Sequence, residues 1–220
     1  MVNIDETIKK NVTDELFWDS QLDASNITVE VNDHKVFLKG TVPTYREHSQ
    51  AFTDAWSVPD VQEVINELDV TFEPEIKIPS DEEIKSSIEN ILLWDSSIDS
   101  NKIEVEATTG IVTLEGEVDA YWKCLRAEDL VVGVNGVVDV INKLAVVPTE
   151  DFLDKVIAES VVEAITRRLS VSIDDVDVKV ENGVVDLIGT VPDYQAYQGA
   201  MNAARYTSGV VDIKDSLMVA

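Results

Sequence analysis

The feature that most constrains this chain is an internal repeat. A segment of the form Leu-x-Gly-x-Val, followed three residues later by Tyr, occurs three times, with its glycine at Gly40, Gly116 and Gly189. The first offset, 76 residues, also relates Trp18 to Trp94. Several independent matches at one offset predict three tandem copies of one unit, at residues 1–74, 75–148 and 149–220.

Hydropathy within each copy predicts the same five elements. Ile84, Ile88 and Leu92 recur at helical spacing, and Ser80 with Glu83 forms a capping-box pattern in front of them. Alternating apolar and polar residues then predict two strands joined by a tight turn, most clearly at Asn182-Gly183. A second helix and a last strand complete the unit. We therefore predict an α+β fold, in which each α-β-β-α-β unit is a three-stranded mixed sheet with two helices on one face.

The repeated glycine continues the apolar row of the second strand. A side chain at Gly40, Gly116 or Gly189 would point towards whatever covers the sheet. Because a small residue also recurs in the following helix, as in Ala51, we interpret these structural glycines as close-approach sites for that helix.

Charge and residue usage exclude several classes of function. The chain has 43 Asp and Glu and only 17 Lys and Arg, which gives a net charge of −26. Because phosphate binding needs clustered cations, we expect no nucleic-acid partner. Cys124 is the single cysteine, and His34 and His48 are the only histidines. An intrachain disulfide, a cysteine zinc site and a multi-histidine centre are thereby ruled out. We expect no enzyme activity, no catalytic residues, no metal and no cofactor.

The unit resembles the BON domain, named for bacterial osmotic-shock and nodulation proteins. The resemblance rests on the α-β-β-α-β order, the Leu-x-Gly-x-Val step and the closing segment 136–144, and it covers nearly the whole chain. It implies a small non-catalytic module of bacterial envelope and stress proteins, usually exported, associated with phospholipid surfaces and chaperone-like protein binding. The first unit departs from the pattern, with Pro59-Asp60-Val61 in place of the Gly-Val step of the last loop.

Four residues near the ends of first helices form the candidate contact patch: Trp18, Leu92, Leu93 and Trp94. One interpretation is that the indoles anchor the chain on a bilayer interface or in a partner groove. The other is that each indole caps the core of its own unit, and we favour this one because half-buried Trp is ordinary in small domains.

The leading functional hypothesis is a binding protein of the envelope or osmotic-stress type, whose partner is a membrane surface or an exposed apolar protein segment. The alternative is a self-associating scaffold or adaptor with protein partners only, and a homo-oligomer fits it. The N-terminus has neither a basic segment nor an apolar run. As written, the chain is expected in the cytoplasm; if it is a trimmed mature form, the resemblance implies the periplasm.

Overall fold

The computed structural model describes residues 4–72, 77–167 and 176–219 and confirms three α+β units. The helices are α1 (Ile4–Trp18), α2 (Tyr45–Ser57), α3 (Asp81–Trp94), α4 (Tyr121–Val132), α5 (Asp154–Thr166) and α6 (Tyr194–Arg205). The strands are β1 (Ile27–Asn32), β2 (Lys35–Val42), β3 (Glu63–Val70), β4 (Ile103–Thr108), β5 (Ile111–Val118), β6 (Asp139–Val146), β7 (Val176–Glu181), β8 (Val184–Val191) and β9 (Asp212–Val219). The predicted boundary at residues 74 and 75 lies outside the described residues.

Each unit contains its own mixed sheet. In the first, β2 lies in the centre, antiparallel to β1 and parallel to β3, and Gly40 pairs with Ile27 on one side and Leu68 on the other. A two-residue turn joins the antiparallel strands, whereas the parallel pair needs a crossover, which α2 provides. The second and third units repeat this pairing, with β5 and β8 as central strands.

Both helices of a unit pack on one face of its sheet. Ile84, Ile88 and Leu92 form the buried stripe of α3 and contact a core that includes Val112 and Leu114. The opposite face is mainly polar, with Ile111 and Ile141 as exposed apolar exceptions. Ion pairs cross its strands: Lys35–Glu63, Lys39–Glu30 and Lys143–Glu115. These pairs are solvent-exposed, so each contributes little stability, and apolar burial holds the unit together.

The repeated glycines are structural for a different reason from the predicted one. A Cβ at Gly40 would lie 1.9 Å from the carbonyl oxygen of Asn26, and one at Gly116 would lie 2.0 Å from that of Lys102. Their φ angles are +121° and +127°, a region that favours glycine. The interpretation of these glycines as contacts for the second helix is wrong for Gly40 and Gly116, and for Gly189 it stays a prediction. At the first two positions the close neighbour is the backbone that leads into the first strand.

An aspartate at the start of each first helix holds the hairpin turn. The Asp81 carboxylate accepts the backbone N–H of Thr109 at 2.8 Å and that of Gly110 at 3.0 Å. The equivalent contacts run from Asp5 to Asp33 and His34, and from Asp154 to Asn182 and Gly183. This contact ties the first helix to the hairpin turn in all three units, and no sequence pattern predicted it.

The three units contact one another pairwise. Tyr45 of the first unit packs on the core of the second, near the Asp139 carboxylate. Tyr121, the equivalent residue of the second unit, packs against the core of the third, near Asp212. Tyr194, the equivalent residue of the third unit, stacks on Trp56 of the first. Each unit therefore presents the same tyrosine to the next, and the chain closes on itself.

Candidate functional site

Two first helices end in adjacent, exposed apolar side chains. Phe17 and Trp18 at the end of α1 are 78% and 81% exposed, and Leu93 and Trp94 at the end of α3 are 65% and 85% exposed. Since burying such side chains is favourable, surfaces of this kind are typical of sites that contact a partner or a membrane. We call these four residues the helix-end pairs.

The interpretation of the indoles as caps of their own cores is wrong. The buried stripe of α1 runs through Ile8, Val12 and Leu16, so Phe17 and Trp18 lie one and two residues beyond its last member. A helix turns about 100° per residue, which carries both side chains away from the core. The same geometry exposes Leu93 and Trp94.

Leu92 does not belong to the candidate contact patch. It is 1% exposed and is the last member of the buried stripe of α3, four residues after Ile88. Phe17, which was not among the predicted residues, belongs to the site instead. The signal was available, because Phe17 precedes Leu93 by the same 76 residues that separate Trp18 from Trp94.

The third unit lacks an apolar pair at this position. Thr166 and Arg167 are the equivalent residues, both exposed, and the Arg167 guanidinium lies 3.7 Å from the Glu163 carboxylate. The site is therefore present in two units of three.

The electrostatic surroundings of the two helix-end pairs differ. After Trp94, the Asp95 carboxylate accepts hydrogen bonds from Ser97 and pairs with Arg126 at 2.9 Å, and these contacts lower its pKa. In the first unit, the Asp54 carboxyl on α2 is buried near the carboxylates of Glu15 and of Asp19, the residue after Trp18. Burial raises the pKa of Asp54 to about 6, although a hydrogen bond from Gln50 opposes the shift.

The remaining titratable candidates lie on the second helices. His48 stacks on Tyr45 with ring centroids 5.3 Å apart, and burial lowers its pKa. Burial raises the pKa of Cys124, which is opposite to what a reactive thiolate needs. Across residues 4–72, 77–167 and 176–219, no group of three or more His, Cys, Asp or Glu side chains is placed to hold a metal ion.

None of the described helices combines the length and the apolar character needed to cross a bilayer.

Three α-β-β-α-β units, each with a central strand and a crossover helix, define a repeat of one small α+β module. The profile of the BON domain matches residues 4–71, 80–148 and 153–220, and the chain belongs to the BON domain family. Osmotically-inducible protein Y of Escherichia coli (strain K12) is 30% identical over 143 residues, which cover 64% of this chain and 71% of that protein.

A solved structure with low similarity is the C-terminal domain of CdsD, described as the structural protein of the type III secretion system of Chlamydia trachomatis. It aligns over 100% of this chain and 98% of its own, at 14% identity and with a TM-score of 0.26. A second structure of CdsD gives 15% identity over 96% of this chain and 92% of its own, with the same TM-score. A likeness at this level supports no functional comparison.

Proposed function

We propose that this BON-domain protein is a non-enzymatic binding protein of the osmotic-stress type that contacts phospholipid surfaces through its helix-end pairs. The observation that carries the proposal is the exposure of Trp18 and Trp94, each next to a second exposed apolar side chain. Its relative is named for osmotic induction, which supports the stress setting.

The chemistry of the pairs suits a bilayer interface. Indole rings favour the headgroup level, where one edge is apolar and the N–H meets water. Phe17 and Leu93 lie beside the indoles and contribute about 1.5–3 kcal/mol each when fully buried. Two such pairs on one chain combine weak contacts into stronger binding when both reach the same surface.

The charge of the protein predicts which surface it prefers. With a net charge of −26, the chain is repelled by anionic headgroups before contact. Zwitterionic vesicles are therefore the better ligand. Salt should strengthen binding to anionic vesicles, because it screens the repulsion, and should change binding to zwitterionic vesicles little.

Tryptophan fluorescence during titration with phosphatidylcholine vesicles tests the proposal. The wild-type emission should shift to the blue, since Trp18 and Trp94 leave water. The double variant Phe17→Ser, Leu93→Ser keeps all four tryptophans as reporters and should bind at least tenfold more weakly. Tyr206→Ser is the matched control, because it removes an exposed aromatic ring from another surface and should bind as wild type does.

No blue shift with either vesicle type, at low or high salt, contradicts phospholipid binding. An exposed apolar protein segment is then the better ligand. In that case the same Phe17→Ser, Leu93→Ser variant should lose the ability to keep a chemically unfolded client in solution, while Tyr206→Ser retains it.

A further inference from the structure

Aromatic rings join the first unit to the third. Trp56, near the end of α2, stacks on Tyr194 and Tyr197 of α6, with ring centroids 5.1 and 6.1 Å away and interplanar angles of 15° and 1°. The two tyrosines also stack on each other at 5.8 Å. We call this group the closure contact. A cavity of about 600 Å³ lies beside it, between the loop after α2 and the start of α6.

Two of these aromatic residues are particular to this junction. Val132 and Arg205 are the equivalents of Trp56 in the other two units, and His48 and Cys124 are the equivalents of Tyr197. The shared tyrosine lies near a carboxylate at the other two junctions, Tyr45 near Asp139 and Tyr121 near Asp212. Only the junction of the first and third units is built from three stacked rings, among the residues that the structure describes.

The chain connectivity gives a reason for this difference. Fewer than a dozen residues link β3 to α3, and β6 to α5, so consecutive units are tethered at their contact. No linker joins the first unit directly to the third, and their side chains have to hold the junction. Strong aromatic packing suits a contact without its own tether.

A contact of this type connects two different surfaces, one on the first unit and one on the third. When both surfaces belong to one chain, the contact closes that chain on itself. The same two surfaces can also meet when they belong to two different chains. We propose that the closure contact is also a self-association interface, through which the third unit of one copy docks on the first unit of a second copy. The proposal goes beyond membrane contact and does not depend on it, because the closure contact contains none of the helix-end pairs.

Effective concentration determines which form is present. Short tethers hold linked partners at a local concentration in the millimolar range. The wild-type chain should therefore close on itself and stay monomeric at micromolar concentration. An opened chain exposes both surfaces and can bind a second copy.

Two variants, each damaged on one surface, test the proposal by complementation. Trp56→Leu damages the surface of the first unit, and Tyr194→Ala with Tyr197→Ala damages that of the third. Each variant alone should be an expanded monomer at all concentrations, because its intact surface has no intact partner. An equimolar mixture at several hundred micromolar should contain a species of twice the monomer mass, which pairs one intact surface from each variant.

Sedimentation equilibrium measures the mass, small-angle X-ray scattering measures the expansion, and circular dichroism verifies that the variants are folded. Trp56→Leu keeps an apolar side chain against the first core, and Trp56→Phe provides a milder second variant. Trp94→Ala, which removes an indole outside the closure contact, should stay as compact as wild type.

Three results overturn the proposal. The mixture can remain monomeric although both variants are folded and expanded. Both variants can remain as compact as wild type, which means that these rings do not hold the junction. Either variant can dimerise alone, which places the interface elsewhere.

Discussion

Replacing the buried carboxyl of Asp54 by an apolar side chain should stabilise the protein at pH 8 but hardly at pH 4. Asp54 is 8% exposed, one carboxylate oxygen accepts a hydrogen bond from Gln50 at 2.8 Å, and the other is buried without a donor. The second unit has Leu130 at the equivalent position. Asp54→Leu therefore puts the residue of one unit into the matching place of another.

The magnitude follows from the pKa. Folding raises the pKa of Asp54 from 3.8 to about 6, and each pKa unit corresponds to about 1.36 kcal/mol. The charged carboxyl thus costs up to about 3 kcal/mol of stability above pH 6, and this value already includes the opposing hydrogen bond from Gln50. We expect Asp54→Leu to raise the free energy of unfolding by about 1–3 kcal/mol at pH 8.

The sign of the pH dependence is fixed by the direction of the shift. Because the folded chain binds this proton more tightly than the unfolded chain does, the contribution of Asp54 to stability is largest when the carboxyl is protonated. That contribution is lost as the pH rises from about 4 to about 6, and above pH 6 the cost of the charged carboxyl no longer changes with pH. The advantage of Asp54→Leu should therefore nearly vanish at pH 4.

Urea unfolding at pH 4 and pH 8 measures both quantities. Asp69→Asn removes the same charge from an exposed position on β3 and serves as the control for the general repulsion in an acidic chain. If Asp54→Leu stabilises equally at both pH values, or if Asp69→Asn matches it, the burial of Asp54 is not the cause and the reasoning fails.

Two further predictions concern the helices and the hairpin turns. Leu92→Ala should lower the free energy of unfolding by about 2–5 kcal/mol because it leaves a cavity, whereas Leu93→Ala should change it by less than about 0.5 kcal/mol. Thermal unfolding of the two variants measures this difference. Similar losses in both would contradict the assignment of Leu92 to the buried face of α3 and of Leu93 to the exposed face. Asp81→Ala should cost about 1–3 kcal/mol because the N–H groups of Thr109 and Gly110 lose a charged acceptor. Faster amide exchange at those two residues would show the loss locally, and unchanged exchange would contradict it.

Local patterns were enough to predict the unit. The spacing of Ile84, Ile88 and Leu92 identified a helix and its buried stripe, and Asn182-Gly183 lies in the predicted hairpin turn, with φ angles of 52° and 75°. Periodicity reports local structure, since it reflects which side of an element faces the core. The threefold repeat supports the prediction of the whole fold, because the same five elements are predicted independently in each copy.

The helix-end pairs were only partly predictable. Trp18, Leu93 and Trp94 were singled out by composition and by the repeat, but their exposure depends on whether a neighbouring element covers the helix end. The assignment of Leu92 to the contact patch is wrong although the predicted stripe that contains it is correct, because adjacent residues of a helix do not share one face. Continuing the helical rotation by one residue separates Leu92 from Leu93.

The sequence by itself determined three α-β-β-α-β units of the BON family, a strongly acidic surface, and the location of the apolar helix ends. Only the tertiary structure decided that the indoles of Trp18 and Trp94 are exposed, that Gly40 faces a backbone carbonyl, and that Trp56 meets Tyr197. The physical reason is distance along the chain. Trp56 and Tyr197 are 141 positions apart and meet only because whole units pack together. The hydropathy pattern of one unit does not indicate which surface of another unit packs against it.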